Sequence, residues 1–206
     1  MMNRRDMILA MLGSGAALCR PLPLRAHENH TPAPAGGIGK TRIKLTDVEL
    51  TDHQRRRGHL IRDFVAGRIV VANFVFTTCG SVCPVISAIF AQLQQQLTAD
   101  LARDTVLLSL SVDPLNDTPD RLAAQAKQYG SGSHWRWLTG RVEDMEAALK
   151  GFGAYSARPD DHLPMAVVGD PLSDTWYRFS GTPGVQQLLR TVQQLQQQRN
   201  VTRKKS

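Results

Sequence analysis

Twice in this chain a continuous apolar, β-branched run gives way at once to apolar residues spaced as on one face of a helix. Residues 68–76, RIVVANFVF, show no polar alternation, the pattern of a strand covered on both faces. In the CPVISAIFAQLQQQL that follows, Val85, Ile89, Leu93 and Leu97 recur every fourth residue, with Ile86 and Phe90 flanking. That stripe is an amphipathic helix. The second instance is TVLLSLSVDP at 105–114, followed by TPDRLAAQAKQYG, where Thr118 is placed to cap, Pro119 to open the helix and Gly130 to stop it. Strands buried on both faces need helices on both sides, so the chain is predicted to be an α/β sandwich around a central mixed sheet.

The remaining segments extend the same alternation. WRWLTG reads as a short strand, with Trp135 and Trp137 packed in the core, and RVEDMEAALKGFG as a helix ended by glycine. PMAVVGDPLSDTWYRFSG reads as strand, turn and strand, and TPGVQQLLRTVQQLQQQ as a closing amphipathic helix. Upstream, VELTDHQRRRGHLIRDF is predicted to form an N-terminal β-hairpin. The glutamine runs fall on helix faces expected to meet solvent and carry no repeat architecture.

A length of 206 residues, 42% of them apolar, suits one domain with tails. Residues 1–26 have the layout of an export signal: Arg4 and Arg5, an apolar stretch from Met7 to Cys19, then Pro21 and Pro23. That stretch is 13 residues long, short of the ~20 that span a membrane, so cleavage is favoured over an uncleaved anchor. The paired arginines resemble a twin-arginine signal, with the general secretory route as the alternative. Lipid attachment at Cys19 is disfavoured because Leu18 is not the small residue such sites prefer. The expected organisation is a signal at 1–26, a flexible lead at 27–42, a domain at 43–198 and a basic tail at 199–206. The expected location is the periplasm or the outer face of the cytoplasmic membrane, and the expected state a monomer. The signal accounts for +3 of the formal +7, leaving +4. Without a basic stripe interleaved with aromatics, nucleic-acid binding has no support.

Removal of the signal leaves two cysteines, Cys79 and Cys83, in a compartment where disulfides persist. One short bridge cannot staple a domain of this size, so a disulfide scaffold is excluded. At a helix start an i, i+4 pair lies on one face, with α-carbons roughly 6 Å apart, inside the ~4.4–6.8 Å range of a disulfide. The unpaired N–H groups there favour a thiolate, predicting a lowered pKa for at least one cysteine. Pro84 fits the first helical turn, where its missing N–H is not needed. The bland alternative is two small buried hydrophobes, but the junction of a core strand and its helix is where open α/β folds place their sites. Zinc would need four ligands of the His/Cys kind. Two thiolates select Cu(I), and an added imidazole accommodates either oxidation state.

FTTCGSVCP, then LSVDPLNDTPDRL, then DDHLPMAVVGDP resemble, in that order, the motifs of the Sco/SenC family of thioredoxin-like copper chaperones that serve cytochrome c oxidase assembly. The resemblance covers roughly residues 45–195. It rests on Cys79 to Pro84, on the turn containing Asp113, Pro114, Asp117, Thr118 and Pro119, and on the pair Asp161 and His162. It implies a thioredoxin-like fold and one copper ion, Cu(I) and/or Cu(II), held by Cys79, Cys83 and His162. It also implies delivery to a copper-bearing cytochrome c oxidase subunit or another copper chaperone. Many members carry proline after the first cysteine, where this chain has Gly80. Pro164 suggests a cis-proline facing the cysteines, as thioredoxin-like folds generally carry. The alternative function is a thiol–disulfide oxidoreductase in which one cysteine attacks a partner disulfide and the other resolves it. A peroxidase lacks its threonine and proline ahead of the cysteine. Asp113 and Asp117 read as turn and cap residues, and His27, His30, His53, His59 and His134 have no such support as ligands, although the His27/His30 pair in the lead could capture metal weakly.

Overall fold

The computed structural model describes residues 37–80 and 82–204. In chain order the strands are β1 Ile38–Thr41, β2 Glu49–Asp52, β3 Arg57–His59, β4 Ile69–Val75, β5 Thr105–Ser111, β6 Trp135–Thr139, β7 Met165–Asp170 and β8 Thr175–Ser180. The helices are α1 Val82–Gln96, α2 Ala99–Asp104, α3 Pro119–Gln128, α4 Val142–Phe152 and α5 Val185–Arg203. A π-helical turn spans Leu60–Val65 and a 3-10 turn spans Pro159–Asp161.

All seven residues of β4 and all seven of β5 are buried, as their unbroken apolar character requires. The sheet runs β1-β8-β7-β4-β5-β6-β2-β3. Strands β4, β5 and β6 are parallel and the other pairs antiparallel, so the sheet is mixed. Alternate residues of β4 feed two separate cores. Val70, Ala72 and Phe74 pack with Met145, Leu149 and Phe152 of α4. Ile69, Val71 and Val75 pack with Ile86, Phe90 and Leu93 of α1 and with Leu188, Val192 and Leu195 of α5. Each such fully buried side chain contributes about 1.5–3 kcal/mol relative to exposure.

The expected hairpin is present as β2 paired with β3, and Thr118 caps α3 by accepting from the Arg121 N–H at 3.3 Å. Gly153 ends α4 in the left-handed region at φ 63°. Four elements depart from expectation. Residues 38–41 of the supposed flexible lead pair antiparallel with β8. IGKT has no buried apolar alternation to announce a strand, and main-chain pairing to an otherwise open edge decides it. The short helix α2, capped by Thr98 on the Leu101 N–H, and the π-helical turn were not anticipated. At the other end α5 runs on through Arg203, and Arg199 of the expected solvated tail is buried. Its guanidinium grips the Asp170 carboxylate with Nε at 2.8 Å and Nη2 at 2.5 Å, and donates from Nη1 to the Gly67 carbonyl at 2.9 Å.

Candidate metal centre

Because β4 and β5 are parallel neighbours with Val75 opposite Ser111, the segments leaving their carboxyl ends emerge side by side. The first carries the cysteines and the second the DPLNDTP turn. Asp117, 1% exposed, ties them together. One carboxylate oxygen accepts the Thr77 N–H at 2.9 Å and the Thr77 hydroxyl at 2.6 Å, and the other accepts the Ser111 hydroxyl at 2.6 Å. Ser111 Oγ accepts in turn from the Asp113 N–H at 3.0 Å. Burial raises the Asp117 pKa and the charge of Asp113 adds to it, against the hydrogen bonds from Ser111 and Thr77.

Cys79 lies in the loop before α1, not on the helix, and its N–H donates to the Phe76 carbonyl at 3.2 Å. Cys83 lies in the first turn of α1 and packs against the apolar cluster beneath it. The i, i+4 pair meets in another way than expected: the main-chain N–H of Cys83 donates to Cys79 Sγ at 3.4 Å. Both side chains are partly exposed. The predicted lowering of a thiol pKa does not hold at Cys83, which is pushed up to about 12. Burial is the main cause, the side-chain hydrogen bond with Cys79 and the charges of Cys79 and Asp117 add to it, and the hydrogen bond to the Phe76 backbone opposes it. A thiol wedged onto an apolar core loses more from desolvation than the helix terminus returns.

His162 follows the 3-10 turn at the entrance to β7, its N–H donating to the Pro159 carbonyl at 3.1 Å. Its ring lies 5.8 Å from that of Phe74, centroid to centroid. Nε2 is buried and has no hydrogen-bond partner. Burial drops the imidazole pKa to about 4, so the ring is neutral at neutral pH and its nitrogen lone pair is available. Asp161, the other half of the expected pair, is exposed and engaged by Arg158 through two hydrogen bonds at 2.7 and 2.8 Å.

A cavity of about 190 Å³ is lined by Cys79, Cys83 and His162 together with Phe74, Phe76 and Pro164. The three predicted ligands therefore border one space. They do not converge: among the described residues no three His, Cys, Asp or Glu side chains are close enough to enclose a metal ion as they stand. Pro164 does line the cavity, but the expectation that it is cis fails, since every described peptide bond is trans. The Pro164 carbonyl accepts from the Gly181 N–H at 2.8 Å, so the residue already belongs to the extended entry of β7. Gly80 has open space where a Cβ would stand and does not occupy the left-handed region. Across the cysteines from His162, Tyr129 borders a second cavity with them and stacks on Trp137 with centroids 6.1 Å apart. Sequence alone did not mark Phe74, Thr77 or Tyr129. The signal at 1–26 and His27 and His30 lie outside the described residues, within which no helix is long and apolar enough to cross a membrane.

Comparison with known proteins gives this arrangement a setting. The SCO1 protein homolog of Bacillus subtilis (strain 168) is 39% identical over 118 residues, which are 55% of this chain and 61% of that protein. The chain thus spans less than two thirds of that relative. BsSco, a member of the Sco family of cytochrome c oxidase assembly proteins in which a disulfide switch was identified, matches with 25% identity. Its TM-score is 0.64, over 76% of this chain and 95% of that one. ScoI of Arabidopsis thaliana, solved with copper bound, matches at 20% identity and TM-score 0.61 over 74% of this chain and 98% of that one. At that identity the likeness concerns the fold alone. The mixed sheet with helices on both faces is thus the thioredoxin-like architecture of Sco structures. With the SCO1/SenC model matched by residues 45–173, more than half of the chain, this protein belongs to the SCO1/SenC family.

Proposed function

We propose that this chain is an exported copper carrier in which the thiolates of Cys79 and Cys83 and the imidazole of His162 hold one copper ion. The carrier then yields the ion to a copper site of a respiratory oxidase or to another copper chaperone. The observation that carries this reading is the buried, unpartnered Nε2 of His162 on the wall of the cavity that both cysteines line. A buried polar nitrogen without a partner is costly, and a soft metal in that cavity would satisfy it. Two sulfurs and one imidazole suit copper in either oxidation state better than zinc. Partial exposure of both cysteines suits a cargo that must leave again.

The test is a copper titration of the reduced protein with optical and paramagnetic readout. Wild type is expected to bind about one equivalent, and Cys79→Ser, Cys83→Ser and His162→Ala each to weaken binding by more than the roughly 10-fold that losing a mere outer-shell partner of a ligand costs. Failure of wild type to bind, or unchanged binding in His162→Ala, would overturn the assignment.

A second reading, thiol–disulfide exchange with a partner, is favoured by the side-chain hydrogen bond between Cys83 and Cys79. The two functions are compatible, because reduction of a partner's cysteines prepares them to receive metal. Disulfide-reducing activity that is lost in Cys79→Ser and kept in His162→Ala would mark exchange as the primary role.

A further inference from the structure

We propose that Asp117 is a positioning residue for the cysteine pair: it anchors the turn that carries Cys79 and so sets how readily Cys79 and Cys83 join. The proposal rests on those two cysteines being the working pair. Asp117 is nearly inaccessible, makes no ion pair among the described residues, and spends one whole carboxylate oxygen on Thr77. Thr77 opens the turn whose other end is the Cys79 N–H on the Phe76 carbonyl. A turn-and-cap role does not require those contacts. Thr118 supplies the cap of α3, and the turn itself is closed by the Asn116 and Asp117 N–H groups on the Asp113 carbonyl. The side chain of Asp117 instead reaches across to the neighbouring strand's exit, 40 residues earlier in sequence.

The consequence is an effective concentration. A sulfur held by a fixed turn meets its partner more often than one on a loose loop, so freeing the turn disfavours the bridge. The equilibrium is readable without metal. Two thiols of the protein become one disulfide while oxidised glutathione takes their two electrons and two protons and leaves as two reduced molecules. The full chain is equilibrated in glutathione mixtures, trapped by alkylation, and read by mass on the peptide carrying both cysteines.

Asp117→Ala is expected to shift the equilibrium about 10-fold toward the dithiol, the effect of losing roughly one charge-assisted hydrogen bond. Asp117→Asn, whose amide oxygen still accepts the Thr77 N–H, should stay within about threefold of wild type. Thr77→Val, which leaves Asp117 and the main chain in place, should move the same way by less. Thr118→Ala removes the α3 cap without touching the turn and should leave the equilibrium unmoved. Equal shifts in Asp117→Ala and Thr118→Ala would make Asp117 merely structural and overturn the proposal. An Asp117→Asn shift as large as that of Asp117→Ala would also overturn it. Failure of wild type to bind copper would count against the carrier reading alone, because this readout contains no metal.

Discussion

Asp170 and Asp117 are each 1% exposed and lie at opposite ends of the central strands, yet their charges are answered differently. Asp170, at the end where β7 meets the start of β4, is clasped by Arg199 from α5. Burial pushes its pKa up, but the hydrogen bonds and charge of Arg199 and the Leu172 N–H outweigh that, and the net direction is down. Asp117, beneath the cysteines, receives only hydroxyl and N–H donors, and its pKa goes up. One end of the molecule neutralises its buried charge and gains a lock on the C-terminal helix. The other leaves a carboxylate without a counter-cation within reach of Cys83, whose pKa it helps to raise. The locked end ties α5 to the sheet, and the unneutralised end is tied to the turn that carries Cys79.

Removing the cation from the locked end should produce the largest effect. Arg199→Met strands the Asp170 carboxylate and is expected to cost about 3–5 kcal/mol, measured by denaturant unfolding. The companion Arg199→Met, Asp170→Leu pair should recover part of that loss, since no charge is left stranded while the Gly67 carbonyl and the Leu172 N–H still lose their partners. Neither change should alter the glutathione equilibrium of the cysteines, and a shift there would break the separation of the two ends.

Acid should weaken the site end ahead of the locked end. His162 has a folded pKa of about 4 against 6.5 unfolded, so the unfolded chain binds more protons between those values. The His162 contribution to stability is therefore full above the unfolded value and is lost as pH drops toward 4. The Asp170 pairing, with a folded pKa below the unfolded 3.8, is fully present above that value and is lost only as pH falls through the folded pKa. Unfolding of wild type and His162→Leu at pH near 7 and near 5 checks this: the wild type should lose stability between them and the variant should show a flatter profile. Equal slopes would place the acid-sensitive group elsewhere.

The smallest change sharpens the picture of the site loop. Gly80→Ala meets nothing within 4 Å and no left-handed backbone, so it should stabilise the fold by about 0.4–1 kcal/mol through the unfolded chain. Thermal unfolding would register it. A loss of stability would mean that the loop between the cysteines needs the freedom of glycine.

The periodicity of the chain was sufficient for the layered fold. Strands β4 and β5 are unbroken apolar runs because both their faces are covered, and α3 carries its start and stop residues in the sequence. The same logic could not find β1, because IGKT gains its place from main-chain pairing with β8 and not from side-chain burial. Nor could it separate Arg199 from the basic residues beside it. A guanidinium becomes a core residue only when Asp170 and the Gly67 carbonyl are brought to it, 29 and 132 residues away in sequence.

At the site, sequence by itself determined which atoms are available: two sulfurs four residues apart and an imidazole in an Asp-His pair 79 residues beyond the second cysteine, each recognisable as a residue type in a motif. Tertiary structure decided what those atoms experience. The packing of Cys83 onto the apolar cluster, the burial of the His162 Nε2 beside Phe74 and the grip of Asp117 on Thr77 all arise from strands and loops distant in sequence. Desolvation and hydrogen bonding depend on who the neighbours are in space, which a residue's own identity does not state.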